Sequence, residues 1–174
     1  MRISAHGVLD DVRYVASPHC DFRPNEADIK LIVIHSISLP PSEFSGDSVE
    51  ALFTGTLDWD AHPYFQSIRD IKVSAHFFIR RNGEIIQFVP CDRRAWHAGV
   101  SSWQGRDRCN DFSIGIELEG TDDIAFTEQQ YQTLLSLIEA LKAHYPIAEI
   151  VRHSDIAPGR KTDPGPYFDW NRLE

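Results

Sequence analysis

The run Lys30 to Ile37, KLIVIHSI, constrains the fold more than any other stretch of the chain. Leu31 through Ile34 are apolar without a break, with Ile37 beyond, and such a run marks a strand buried on both faces rather than one alternating between core and water. Leu39-Pro40-Pro41 must stop it, because proline supplies no donor to a strand ladder. His35 therefore sits at the end of a buried strand, beside a loop. That position suits a metal ligand, although for one histidine by itself a core residue satisfied by a backbone carbonyl is the commoner outcome.

Other elements follow by pattern. Val73 to Arg80 (VSAHFFIR) and Glu84 to Val89 (EIIQFV) flank Arg81-Asn82-Gly83, and Asn-Gly between β-rich runs predicts a hairpin. His76, alternating with apolar neighbours on the first of these strands, could face the site or the core, and the core is the expected side. Phe112 to Glu119 alternates so that Glu117 and Glu119 share one face of a strand whose other face is apolar. Glu117 is then either an acid/base facing a site or a surface charge, and the period does not choose. Thr127 to Tyr145 predicts the clearest helix, with Thr127 and Gln130 spaced as a capping box and Tyr131, Leu134, Leu135, Ile138 and Leu141 on one stripe. A short helix near Asp47 to Phe53 is expected in the aromatic-rich segment between Pro40 and Arg69, and residues 1 to 28 read as mostly extended or loop. Glu149 to Arg152 predicts a last short strand that delivers His153.

His153 opens the stretch H-S-D-I-A-P-G-R-K-T-D-P-G. Pro158, Gly159, Pro164 and Gly165 are expected to keep it out of helix and strand. One imidazole, Lys161 and Asp163 thus share a single turn-rich segment. A histidine and a carboxylate at its two ends can point at one ion, and a third nitrogen from elsewhere would complete a catalytic zinc site with an open position.

Bulk properties narrow the function classes. At 174 residues and 42% hydrophobic, the chain suits one compact domain spanning residues 1–174. No apolar run reaches the ~20 residues of a membrane span and the N-terminus lacks a leader pattern, so a soluble, unexported protein is expected. Cys20, Cys91 and Cys109 are odd in number and lack C-x-x-C spacing, which favours a reducing compartment, the cytosol by default. A net charge of -9 argues against a nucleic-acid partner. Within that acidic balance, Arg152, Arg160 and Lys161 gather around the terminal loop, which suggests a small anionic ligand, and Arg106 and Arg108 form a second group that is either part of the same pocket or scattered solvated charge.

The runs LIVIHSISLPP, HPYFQSI, VSAHFFIRRNGEIIQFVP, AWHAGVSSWQGRDRCNDFSIGIELEG and VRHSDIAPGRKTDPGPYFDW together resemble the zinc amidases of the amidase-2, or peptidoglycan-recognition-protein, family over nearly the whole chain. The resemblance is to the branch that cleaves 1,6-anhydro-N-acetylmuramyl-L-alanine amides in cytosolic cell-wall recycling. It implies a single α/β domain with a central mixed β-sheet flanked by α-helices. It also implies zinc held by His35, His153 and Asp163, catalysis by Glu117 and Lys161, and substrate contacts from Trp96, Arg108 and Arg160. An anhydro-muropeptide substrate and a downstream link to β-lactamase regulation belong to the same implication, and nothing in the sequence demands more than a monomer. One departure is Ser36, where that branch often carries asparagine; serine is shorter and offers no amide, so the resemblance implies the metal site but no sugar contact at that point.

The chemistry is consistent with that expectation. Three protein ligands leave zinc one position for water, whose pKa can fall to about 7, and Glu117 and Lys161 are the residues expected to move the proton and stabilise the oxyanion. A non-catalytic muropeptide sensor of the same fold would typically lack one of these ligands. A zinc peptidase would be expected to carry an H-E-x-x-H helix, which the sequence lacks.

Overall fold

The computed structural model describes residues 1–173 of the chain. Its strands are β1 (Arg13–Tyr14), β2 (Cys20–Phe22), β3 (Leu31–Ile37), β4 (Phe77–Ile79), β5 (Ile85–Gln87), β6 (Arg93–Ala95), β7 (Ser102–Trp103), β8 (Arg106–Asp107), β9 (Ser113–Glu119) and β10 (Glu149–Arg152). Its α-helices are α1 (Ser48–Thr54), α2 (Pro63–Ser67), α3 (Glu128–His144) and α4 (His153–Ile156). A six-stranded mixed sheet runs β1-β5-β4-β9-β3-β10, with only the β4–β5 pair antiparallel. Two small ribbons, β2 with β6 and β7 with β8, complete the strands.

The run KLIVIHSI becomes β3, hydrogen-bonded on one side to β9 and on the other to β10. Its alternate residues serve two cores. Ile32 and Ile34 join Ile114, Ile116 and the α3 residues Leu134, Leu137 and Leu141, whereas Leu31 and Val33 pack with Ala98, Cys109, Phe112 and Ile156 on the opposite face. His35 continues that second face, away from α3. On β9 the period of two puts Ser113, Gly115 and Glu117 on the same side as His35.

The expected hairpin forms: Arg80 N donates to Glu84 O at 2.8 Å and Gly83 takes φ 84°, a turn conformation that favours glycine. Helix α3 has the expected capping box, in which Thr127 Oγ1 accepts from Gln130 N while Gln130 Oε1 accepts from Thr127 N. Its buried stripe differs in one position, since Leu137 is buried and Leu135 only half-buried. A helix rotates about 100° per residue, so both flank the Tyr131–Leu134–Ile138–Leu141 line, and only one flank meets the sheet. Two short helices were not anticipated. Pro63, whose missing N–H costs nothing at a first helical position, starts α2 after His62, whose Nδ1 accepts from Tyr64 N. His153 to Ile156 forms one helical turn, α4, before Pro158 and Gly159 end it, so the terminal stretch is not loop throughout.

Among the described residues no helix is long and apolar enough to cross a membrane. The three cysteines are free.

Candidate metal centre and cleft

Parallel register brings the separated parts of the site together. In the β10–β3 pairing Arg152 stands opposite Ile34, so His153, the next residue, emerges beside His35. In the β3–β9 pairing His35 stands opposite Glu117. Asp163 returns after α4, where Ser154 N donates to its carbonyl at 3.2 Å. The result is a compact triad: His35 Nδ1 lies 2.9 Å from His153 Nδ1 and 3.2 Å from Asp163 Oδ2, and His153 Nδ1 lies 3.1 Å from the same carboxylate oxygen.

This donor set fits a divalent ion. Tetrahedral ligands about 2.1 Å from zinc lie roughly 3.4 Å apart, so the three atoms need to spread by only a few tenths of an ångström. His153 Nε2 faces the Ala98 carbonyl at 3.1 Å, an atom that can only accept, so in the neutral ring the proton sits on Nε2 and Nδ1 offers a lone pair. Burial, against the opposing hydrogen bond to Asp163, lowers the His35 pKa to about 4 and keeps that ring neutral. Burial pushes the Asp163 carboxyl up, but its hydrogen bonds with His153 and His35 outweigh this and hold it below the usual carboxylate range. Neutral imidazole and ionised carboxylate are the coordinating forms.

Glu117 is buried beside the triad, its Oε1 3.9 Å from His35 Nδ1, and its Oε2 has no hydrogen-bond partner. Burial first and the charge of Asp163 second raise its pKa well above the ordinary value, with Lys161 opposing. The surface-charge alternative for this residue is thereby removed. Glu119, on the same strand face, is also buried, but its oxygens accept from Ser45 N at 2.7 Å and Arg81 N at 2.9 Å, so it anchors loops.

A cleft of about 510 Å³ opens over these groups, lined by Ser36, Tyr64, Glu117, Lys161 and Asp163 among others. A hollow of about 180 Å³ lined by Trp96 and Arg160 shares His97, His153 and Lys161 with the cleft, and it shares Gly99 and Arg160 with a groove of about 680 Å³ that Arg108 also lines. Trp96 is seated by stacking on His19, with ring centroids 5.9 Å apart, and by its backbone N–H to Ser74 Oγ at 3.0 Å. Arg160 Nη2 donates to the carbonyls of Ala98 at 2.6 Å and Val100 at 2.8 Å. Arg108 is mostly exposed and leans on Asp111 at 3.3 Å. Arg106 is occupied elsewhere, paired with Asp28 at 2.6 Å and stacked over Phe112, and Arg152 covers Trp170.

His76 is a core residue, as expected: its Nδ1 accepts from Gly115 N and its Nε2 faces Arg93 O, both at 3.0 Å. His97 was not singled out from sequence, yet its Nδ1 lies 2.9 Å from His35 Nε2. Arg23 is another hidden element, its guanidinium buried and donating to the carbonyls of Cys91, Asn110, Asp111 and Ser113 at 2.7–3.2 Å.

Comparison with known proteins agrees with the geometry. Residues 25–166 match the Amidase_2 family, N-acetylmuramoyl-L-alanine amidase. The chain is 60% identical over 169 residues to the 1,6-anhydro-N-acetylmuramyl-L-alanine amidase AmpD of Citrobacter freundii, covering 96% of this chain and 90% of that protein. A crystal structure of an AmpD derivative superposes with TM-score 0.96 at 59% identity, covering 99% of this chain and 97% of the other. The Escherichia coli amidase AmiD, in complex with anhydro-N-acetylmuramic acid-L-Ala-D-gamma-Glu-L-Lys, superposes with TM-score 0.61 at 33% identity, covering 98% and 63% of the two chains.

Proposed function

The chain belongs to the N-acetylmuramoyl-L-alanine amidase family, and from that premise we propose that it hydrolyses the lactyl amide between 1,6-anhydro-N-acetylmuramic acid and the L-alanine of a stem peptide, using zinc at His35, His153 and Asp163. The observation that carries the reading is a buried carboxyl, Glu117, with an unpartnered oxygen beside a His–His–Asp triad on the floor of an open cleft. Support for the anhydro-sugar comes from the names of the AmpD relatives and from the ligand in the AmiD complex.

His35, His153 and Asp163 would hold the ion through two neutral imidazoles and one carboxylate, and it would supply Lewis acidity of the kind that lowers the pKa of water toward about 7 and polarises an amide carbonyl. Glu117 takes the proton from the attacking water and delivers it to the leaving nitrogen. Its raised affinity for protons, caused by burial, suits a carboxyl that must hold one between two steps. Lys161, on the cleft wall, offers its ammonium to the developing oxyanion. Trp96 provides an apolar wall for the sugar or peptide, and Arg108 and Arg160 face the stem-peptide carboxylates across the adjoining groove. Ser36 borders the cleft with a short hydroxyl.

Residues 1–174 are taken to act as one amidase domain, as a monomer, in the recycling of cell-wall fragments. The three free cysteines suit the cytosol as its compartment.

The test is incubation of the purified protein with anhydro-muropeptide and with ordinary muropeptide, with and without chelator, and product identification by mass spectrometry. Release of the intact stem peptide, lost on chelation, is expected. Glu117→Ala should keep near-stoichiometric zinc while turnover falls by about 10²-fold or more. Cleavage within the peptide, or turnover that survives complete metal removal, would refute the proposal.

A further inference from the structure

The far nitrogens of both triad imidazoles are held by adjacent residues of one loop. His153 Nε2 meets the Ala98 carbonyl at 3.1 Å, and His35 Nε2 meets His97 Nδ1 at 2.9 Å. The loop is pinned at this step, because Asn110 Oδ1 accepts from His97 N at 3.2 Å and Ala98 N at 2.9 Å. The His97 ring is seated on β9 where Gly115 leaves room for it; a Cβ at residue 115 would lie 2.4 Å from His97 Cγ. On its other edge His97 Nε2 lies 3.1 Å from Ser113 Oγ, and all three groups are buried.

Proton positions follow by elimination. An ion at the triad takes the lone pair of His35 Nδ1, so the neutral ring carries its hydrogen on Nε2. That hydrogen points at His97 Nδ1, which must then be bare, and the His97 proton moves to Nε2, where Ser113 Oγ accepts it. We propose that His97 is a positioning residue for the metal centre: by accepting from His35 Nε2–H it fixes the tautomer and ring orientation that turn His35 Nδ1 toward the ion. The inference rests on the assignment of His35 as a ligand. Ala98 does the same for His153 through a carbonyl, so two consecutive residues orient both imidazoles. An imidazole used as acceptor must itself be oriented, and Ser113 and Gly115 supply that on the neighbouring strand.

The experiment measures binding of Zn²⁺ alone to the full chain by chelator competition, for the wild type, His97→Asn, His97→Leu and His35→Ala, together with ring-nitrogen NMR of the zinc-loaded wild type. His97→Leu should weaken zinc binding by about 10- to 100-fold. His97→Asn, whose amide oxygen stands near the lost Nδ1, should recover to within about threefold of wild type. The spectra should show a protonated Nε2 on His35 and an unprotonated Nδ1 on His97. A folded His97→Leu variant with wild-type affinity overturns the proposal, as does an Asn variant no better than Leu. The NMR arm needs no variant, and a proton on His97 Nδ1 overturns it alone. Should His35→Ala retain stoichiometric zinc, the ligand assignment itself fails, and the two failures are thereby told apart.

Discussion

Replacing His76 with asparagine should flatten the dependence of stability on pH below neutrality. His76 is fully buried, accepts from Gly115 N through Nδ1 and donates from Nε2 to Arg93 O, which commits both nitrogens to one neutral tautomer. Burial first, and the Arg23 guanidinium second, with Nη2 3.0 Å from Nε2, push its pKa well below 6.5. In the unfolded chain the ring titrates near the ordinary value of about 6.5. Between those two values the unfolded state binds a proton that the native state refuses, so stability falls as pH falls. The contribution is fully present above the unfolded pKa and is lost on the way down to the native one. One such site has a limiting slope of about 1.4 kcal/mol per pH unit and integrates to about 1.3 kcal/mol between about pH 7.5 and 5.5. For a chain of this size that is roughly 3–5 °C in Tm. Asparagine keeps an acceptor for Gly115 N and cannot titrate, so its cost is independent of pH. Urea unfolding of wild type and His76→Asn across this range, with chelator present so that zinc release adds no protons, should give curves that converge as pH drops. Parallel curves, or a native His76 ring titrating near 6.5 by NMR, would refute the reasoning.

Other expectations concern the site and its frame. Gly115→Ala should destabilise by about 1–3 kcal/mol in urea unfolding, because the new methyl overlaps the His97 ring; a neutral result would mean that the ring moves freely. Lys161→Met should lower kcat by about 10²-fold or more and leave zinc content unchanged, as measured by turnover and metal analysis. Arg160→Ala should raise KM for a muropeptide with free stem carboxylates more than for one with those groups amidated, and equal effects would remove the arginine from carboxylate recognition. Thr127→Ala should cost about 1 kcal/mol by loss of the α3 cap, read as a shift in the urea midpoint.

What could be read from the chain depended on how local the signal was. The β3 strand, the Asn82-Gly83 turn and the α3 cap each announce themselves within a few residues, and each forms where expected. The triad is different, for His35 and His153 lie 118 residues apart. No spacing joins them, and only resemblance named the set in advance. His97 shows the limit most clearly. Its position follows from a missing side chain at Gly115 on another strand and from two hydrogen bonds to Asn110, none of which leaves a period or motif around residue 97. Arg23 is similar, since its acceptors are backbone carbonyls whose identity the sequence does not encode. Leu135 and Leu137 differ because helical periodicity marks a face, while the sheet's position decides which edge of it is covered.

The centre is supported unequally. His35 and Glu117 belong to β3 and β9, which are paired along their whole length in the middle of the sheet, while half-buried Asp163 and exposed Lys161 belong to the irregular segment after α4, exposed from Pro158 to Thr162. Regions with few buried contacts open at lower free energy than central strands. Unlatching residues 157–165 would strip a carboxylate and a cation from the cleft while the central strands stay folded, giving the metal an escape route that bypasses global denaturation. Zinc off-rates should therefore track amide exchange in that segment rather than in β3.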